Sequence, residues 1–493
     1  MRRVFCVGIL MFLSQVVSAQ TNGRLTGAFV HMGYGANDEF ITTSQLPAYL
    51  DELEDLGNDT IIVGITRTIK SGAGCADSVA DFEWVKGFPN KLGAVLDQAH
   101  ARGMKVVVGA TASRGCGEFW GSTNTSYVVA DAGSSLATIA ATYGSHPAFY
   151  GWYIPDEPGQ VPSYSYNYYK RVTDRLKSLL PKPVMVAPYL GSPGPTPSSL
   201  ASQALSFRAA TGVDVQIWQD GVGANPDAKL WHWTRPGYST EQYFEALAGA
   251  LGVSGLWADV ELFNFGAPLF IETGSGLTGA YRSASAIRLN QQLYATRKAG
   301  KRVSWLHALH MSEVIAPGKG HVEAPRMMGV YRAFYGLGNS LTFPNNHSNY
   351  SWLTPPSGSY PDATGFELFD RQTGDPRNPA DPAWIGVNGS ARVRVDLGAQ
   401  KHVDWLGIHT LSYPSWGIRT PVSAQLYCGS SAATLVQIAT LTAPFTQASL
   451  APSVGEEYVL SNRSPLNANC RFLELRFSNS YWTFVSEIEA SAE

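Results

Sequence analysis

Two short stretches of this chain end in acids. Tyr150-Gly151-Trp152-Tyr153-Ile154-Pro155-Asp156-Glu157-Pro158 is an aromatic and β-branched run that stops at two carboxylates and a proline. It reads as a buried strand that delivers acids at its C-terminal end. Further along, Gly255-Leu256-Trp257-Ala258-Asp259-Val260-Glu261-Leu262-Phe263 repeats the arrangement. A pair of carboxyl groups on either side of one bond is the machinery of glycosidic cleavage: one protonates the leaving oxygen and the other attacks the sugar or activates water. The expected roles are Glu157 as acid/base and Glu261 as nucleophile. Asp259 is two residues before Glu261 and so on the same strand face, which makes it a supporting acid or the working acid in Glu261's place. The bland reading of Glu157 is an N-cap or a salt-bridged strand end.

Such acids need elements that bring them to one rim. From Gly23 to about Asn345 short apolar runs alternate with longer amphipathic stretches, the pattern of repeated βα units. The expected strands are Leu25 to His31, Thr60 to Ile65, Lys105 to Ala110, Phe149 to Ile154, Val184 to Pro188, Val213 to Trp218, Gly255 to Val260 and Arg302 to Leu306. Helical patterns fill the intervals. Thr43 to Leu56 is one, opened by a Thr cap and carrying Leu46, Leu50, Leu53 and Leu56 on one face. Strict alternation of this kind predicts a (β/α)8 TIM barrel in the α/β class, over an open doubly wound sheet, because no Gly-rich phosphate turn follows the first strand. Catalytic groups in such a barrel sit at the C-terminal ends of the strands. That places His31 and Tyr34 after the first strand, Arg67 after the second, Tyr153 and Asp156 at the fourth and Tyr189 after the fifth. Gln216, Trp218, Gln219 and Asp220 lie on or after the sixth, Trp257 on the seventh, and His307 and His310 after the eighth. Of these, Asp156, His31, Tyr34, Tyr153, Tyr189, Gln216, Trp218, Trp257 and His307 are the expected substrate contacts, with Trp218 and Trp257 as sugar platforms. Trp231-His232-Trp233 falls in the long segment after the sixth strand, where an insertion could cover the cleft.

The texture changes after Asn345. Residues 346–362 form a polar bridge rich in Pro and Gly, and from residue 363 to 493 short alternating runs such as Ala391 to Leu397 and Phe472 to Phe477 predict an all-β sandwich. The barrel domain is expected over 20–345. Ahead of it, Met1-Arg2-Arg3, an apolar run from Val4 to Val17 and Ser18-Ala19 have the parts of a secretory signal over 1–19, too short for a membrane span. A secreted or periplasmic location follows, and with it oxidised cysteines. Cys75, Cys116, Cys428 and Cys470 allow three pairings; their positions favour Cys75 with Cys116 and Cys428 with Cys470.

In the 493-residue chain charged residues make up 15% and the formal charge is −3, which gives nucleic acid and anionic membranes nothing to bind. Aromatic residues make up 12%, which suits a neutral ligand with stacking faces such as a polysaccharide or oligosaccharide. No His and acid cluster has metal-ligand spacing and no Gly-Xaa-Ser-Xaa-Gly elbow occurs, so metallohydrolase and serine esterase chemistry are disfavoured. No metal and no cofactor are expected, and a monomer is.

Glu157 and Glu261 at the ends of strands four and seven resemble the acid/base and nucleophile of the retaining glycoside hydrolases of clan A. In that clan the fourth strand ends in Asn-Glu-Pro; here it ends Asp156-Glu157-Pro158. The clan's Asn hydrogen-bonds the sugar 2-hydroxyl. An ionised Asp can only accept, which suits a 2-hydroxyl donor or a 2-ammonium group and directs attention to amino-sugar glycans and bacterial exopolysaccharides. Gly151 to Pro158 and Trp257 to Phe263 are also similar to a group of secreted bacterial barrel proteins regarded as glycosidases. In the sandwich, Leu368-Phe369-Asp370, Trp384-Ile385-Gly386, Val395 to Gly398, Ile418 to Pro421 and Ser486 to Glu489 resemble the factor five/eight type C, or discoidin-like, galactose-binding fold. That resemblance implies a possible carbohydrate-binding module with Tyr413, Trp416 and Trp482 as tip aromatics. The competing function is a non-catalytic carbohydrate-binding protein that uses the barrel cleft and the sandwich as sugar sites.

Overall fold

The computed structural model describes residues 24–30, 41, 44–64, 67–70, 78–81, 91–114, 136–159, 161, 163–189, 194–223, 238–265, 281–283, 286–305, 307–315, 324–335, 350–370, 373–376, 378–442, 455–462 and 465–492. They form two compact units. The last segment of the first is Gln291–Lys319, and the second includes Gly320–Glu493.

The first unit contains a closed parallel barrel. Its strands are β1 (Gly27–Val30), β2 (Thr60–Val63), β3 (Lys105–Gly109), β4 (Phe149–Ile154), β5 (Val184–Val186), β6 (Val215–Gln219), β7 (Leu256–Glu261) and β8 (Lys301–Trp305). They neighbour one another in sequence order and β8 closes on β1. The helices α1 (Leu46–Asp55), α2 (Lys91–Ala101), α3 (136–143), α4 (Tyr166–Leu179), α5 (Pro197–Thr211), α6 (Thr240–Leu251) and α7 (Ala286–Ala295) follow the first seven strands in turn. The (β/α)8 expectation is met, with strand ends within a few residues of those read from the sequence.

Local chemistry sets several helix starts. Thr196 caps α5 by accepting from Ser199 N at 3.3 Å, with Pro197 in the first turn. Ser239 and Gln242 form a reciprocal capping box on α6. The expected Thr cap of α1, Thr43, lies outside the described residues; the helix starts at Leu46 behind Gln45, which makes no side-chain cap, and Pro47 stands in the first turn. Proline is pre-set for that turn and lacks the N–H a cap would satisfy.

One apolar cluster takes residues from all eight strands: Phe29, Ile62, Val107, Tyr153, Met185, Ala187, Val215, Ile217, Trp257 and Val303. It is the barrel interior, and because strand side chains alternate it decides which neighbours point inward.

The second unit holds β9 (Tyr350–Trp352), β10 (Ile385–Asn388), β11 (Ala391–Ser412), β12 (Ser423–Gly429), β13 (Val436–Thr442), β14 (Glu456–Ser461), β15 (Ala468–Phe477) and β16 (Trp482–Ala492), all antiparallel. The long β11 pairs with β15 through its first half and with β14 and β16 through its second, with a register shift between Asp396 and Lys401. β9 comes from the polar bridge and adds to β11. A further helix, α8 (Ala324–Tyr335), packs against β16 and β11. Cys428 on β12 and Cys470 on β15 form a disulfide, the pairing expected from position. Cys75 and Cys116 lie outside the described residues.

Candidate active site

Both glutamates stand at the C-terminal rim. β7 places Trp257, Asp259 and Glu261 on one face, and since Trp257 belongs to the interior cluster the two acids face inward as well. Glu261 is 2% exposed and one oxygen, Oε2, accepts from Gly223 N at 2.6 Å. Its backbone oxygen accepts from Gln292 Nε2 at 3.1 Å, and the same amide reaches Asp220 Oδ2 at 2.6 Å. Gln292 lies on α7, so one helical side chain ties the end of β6 to the end of β7. Asp220 also caps its own turn through Val222 N, and its N–H donates to Asp259 O at 2.9 Å.

Glu157 lies three residues beyond Ile154, the last residue of β4, and is half-buried. Desolvation pushes its carboxyl up to about 7, while a side-chain hydrogen bond with Gln219 pulls the other way. Gln219 follows Val215 and Ile217 on the inward face of β6. Asp259 is raised well above the ordinary carboxylate range, first by burial and then by the charges of Glu261, Asp220 and Glu157. That coupling brings the ends of β4, β6 and β7 into one electrostatic field. Tyr153, inward on β4 with its ring edge-on to Phe29 at 5.4 Å, feels Glu157, Asp259 and Asp156 in turn. Tyr189, 42% exposed, lies over Gly159: a Cβ there would come within 2.8 Å of the ring, and Tyr189 N donates to Pro158 O at 3.2 Å. The backbone thus holds an open aromatic face beside Glu157.

Other expected contacts are elsewhere. Gln216 and Trp218 alternate with the interior residues and face the helical layer, where Gln216 Nε2 donates to Ala204 O on α5 and Trp218 Nε1 donates to Gln216 Oε1. Trp257 sits at the N-terminal end of β7, in register with Lys301 and stacked on Tyr150 with centroids 6.5 Å apart; it plugs the barrel floor and is no sugar platform. His307 is fully buried, with Nδ1 3.2 Å from Tyr49 Oη of α1, and burial lowers it to about 3. It is a neutral packing group. Asp156 is 3% exposed; its carboxylate accepts from the Tyr168 hydroxyl and its backbone oxygen from Tyr169 Oη at 3.0 Å. Both tyrosines are on α4, so Asp156 fastens that helix to the end of β4 instead of standing bare for the 2-ammonium group expected of an amino sugar. His31, Tyr34 and Trp231-His232-Trp233 lie outside the described residues, as do the side chains of Arg67 and His310. The role of Gln292 was not anticipated, because only folding brings α7 to the ends of β6 and β7. Among the described residues no group of three or more His, Cys, Asp or Glu is arranged to hold a metal ion.

Solved structures give distant likenesses. A candidate alpha-L-fucosidase from Bacteroides thetaiotaomicron aligns at 16% identity and TM-score 0.49, over 64% of this chain and 95% of that one. A glycoside hydrolase family 5 protein from Bacteroides vulgatus aligns at 10% identity and TM-score 0.39, over 94% of this chain and 95% of that one. No curated protein matches. Residues 25–311 match the family model described as "Domain of unknown function (DUF4434)", and the chain belongs to that family.

Proposed function

We propose that the barrel is a glycoside hydrolase working with two carboxyl groups, Glu157 as proton donor and Glu261 as nucleophile. The observation that carries this reading is the contrast between them on one rim. Glu157 is desolvated enough to keep its proton until about pH 7, whereas Glu261 is gripped by a backbone N–H at 2.6 Å, a contact that favours its ionised form. A desolvated acid and, on the same rim, a carboxyl that accepts from a backbone N–H suit the parts of proton donor and nucleophile. Glu157 would protonate the glycosidic oxygen as Glu261 attacks the anomeric carbon. Water activated by Glu157 would then release the sugar with its configuration retained. Tyr189 offers a stacking face beside the acid, on the leaving-group side.

The substrate is a polysaccharide or oligosaccharide met outside the cytoplasm, the N-terminal apolar run serving as an export signal. The β-sandwich is an accessory sugar-binding module of discoidin type. Incubating the purified chain with a panel of polysaccharides and measuring new reducing ends tests the reading. Release by the wild type that is lost in both Glu157→Gln and Glu261→Gln supports it. Binding without release would support a carbohydrate-binding protein instead, and equal release by the variants would remove these two residues from the mechanism.

A further inference from the structure

Asp259 is the acid the two-carboxyl scheme leaves unused. It is 2% exposed, faces the barrel interior one layer below Glu261, and its Oδ1 has no hydrogen-bond partner among the described residues. Among the described residues its titratable neighbours are acids or weakly acidic: Glu261 on its own strand, Asp220 beyond β6, and Glu157 and Tyr153 from β4. Its register partners are Val303 on β8 and Gln219 on β6. An ionised carboxylate buried with a bare oxygen among other carboxylates is the costliest state available to it. A neutral carboxylic acid removes the charge and leaves a hydroxyl that needs an acceptor. Among the described residues Oδ1 has none, and Asp259 faces the barrel interior directly beneath Glu261, beside which the proposed substrate would bind.

We propose that Asp259 is a third functional carboxyl of the site, held un-ionised, that donates a hydrogen bond to an oxygen of the sugar bound next to Glu261. This rests on the glycosidase reading for the ligand, while the protonation state stands on the buried geometry alone. It names a substrate class: a neutral hydroxyl or amide oxygen at that position, which a neutral acid can serve. An ammonium group would instead favour an ionised Asp259, with its proton released to solvent.

Two measurements test it. The first is infrared difference spectroscopy of the full chain, wild type against Asp259→Asn, at a pH well above 7 where Glu157 is ionised. The carbonyl stretch of an un-ionised carboxylic acid is expected in the wild type and absent from the variant; its absence from both overturns the proposal. The second compares Asp259→Ala with Asp259→Asn on a glycoside the wild type cleaves. Ala should lose kcat/KM by on the order of tenfold to a hundredfold, and Asn, neutral and able to donate, should recover most of it. Asn no better than Ala overturns the donor role. If the wild type cleaves no glycoside, the hydrolase reading fails by itself and the infrared band still decides the state of Asp259.

Discussion

Gly223 donates its backbone N–H to Glu261 Oε2 at 2.6 Å, a contact that joins the turn after β6 to the last residue of β7. It fixes one carboxyl oxygen and favours its anionic form, so the nucleophile is oriented before any sugar arrives. Glu261→Gln keeps the shape but loses the negative oxygen. The expected loss in kcat is about 10⁴-fold or more, with partial recovery by added azide, a small anionic nucleophile, and an azide product of inverted configuration.

Glu157 sets the alkaline limit. Because its carboxyl must be protonated to act as acid and its buried value is about 7, kcat/KM should fall as pH rises through about 7. Glu157→Gln should abolish that limb and slow substrates with poor leaving groups by ~10²–10⁴-fold, activated aryl glycosides less. The same shift has a thermodynamic sign. The folded state holds the proton more tightly than the unfolded chain, whose value is near 4.5, so this contribution is intact below about 4.5 and is lost as pH rises through about 7. Melting curves at pH 8 should therefore show Glu157→Gln more stable than wild type, and the gain should vanish near pH 4.

Gln292 is fully buried and donates to both Asp220 and the Glu261 carbonyl. Gln292→Leu removes both contacts and should cost about 1–3 kcal/mol in a denaturant titration. It should also lower kcat while leaving circular dichroism unchanged, since the ends of β6 and β7 lose their common tie. Gln292→Glu should be worse, as it adds a carboxylate beside Asp220.

The β-sandwich has its own buried charge centre. His409 on β11 bonds Glu457 through Nδ1 and stands 3.2 Å from Glu489 through Nε2; burial opposes its charge, but the two carboxylates together raise it to about 10. Removing the cation by His409→Leu leaves Glu489 buried, and the expected destabilisation is about 3–5 kcal/mol. For a histidine raised in the folded state the stabilising effect is full below about 6.5 and is lost as pH climbs towards 10, which a pH series of melts would show.

Cys428 and Cys470 close a loop with a sequence separation of 42. Reducing the bond, or replacing both residues by Ser, should cost about 3–4 kcal/mol by the chain-entropy argument. The sandwich transition should move while the barrel's does not, which differential scanning calorimetry would resolve.

Read alone, the sequence determined the alternation of strands and helices, the barrel class, the β texture of the second half and the two strand ends that carry Glu157 and Glu261; of three cysteine pairings it only favoured Cys428 with Cys470. These are local signals: runs of β-branched residues, helical leucine spacing and acids at the end of a strand. The tertiary structure decided which way each side chain faces. A parallel strand is buried on both sides, so Val215-Gln216-Ile217-Trp218-Gln219 carries no polar alternation to separate interior from exterior, and only closure of the barrel turned Gln216 and Trp218 towards α5 and Gln219 towards Glu157. It likewise sank Trp257 into the floor, tied Asp156 to α4 and delivered Gln292 and Gly223 to the acids from distant segments. Contacts of that range depend on how eight strands tilt and close, which no window of sequence contains.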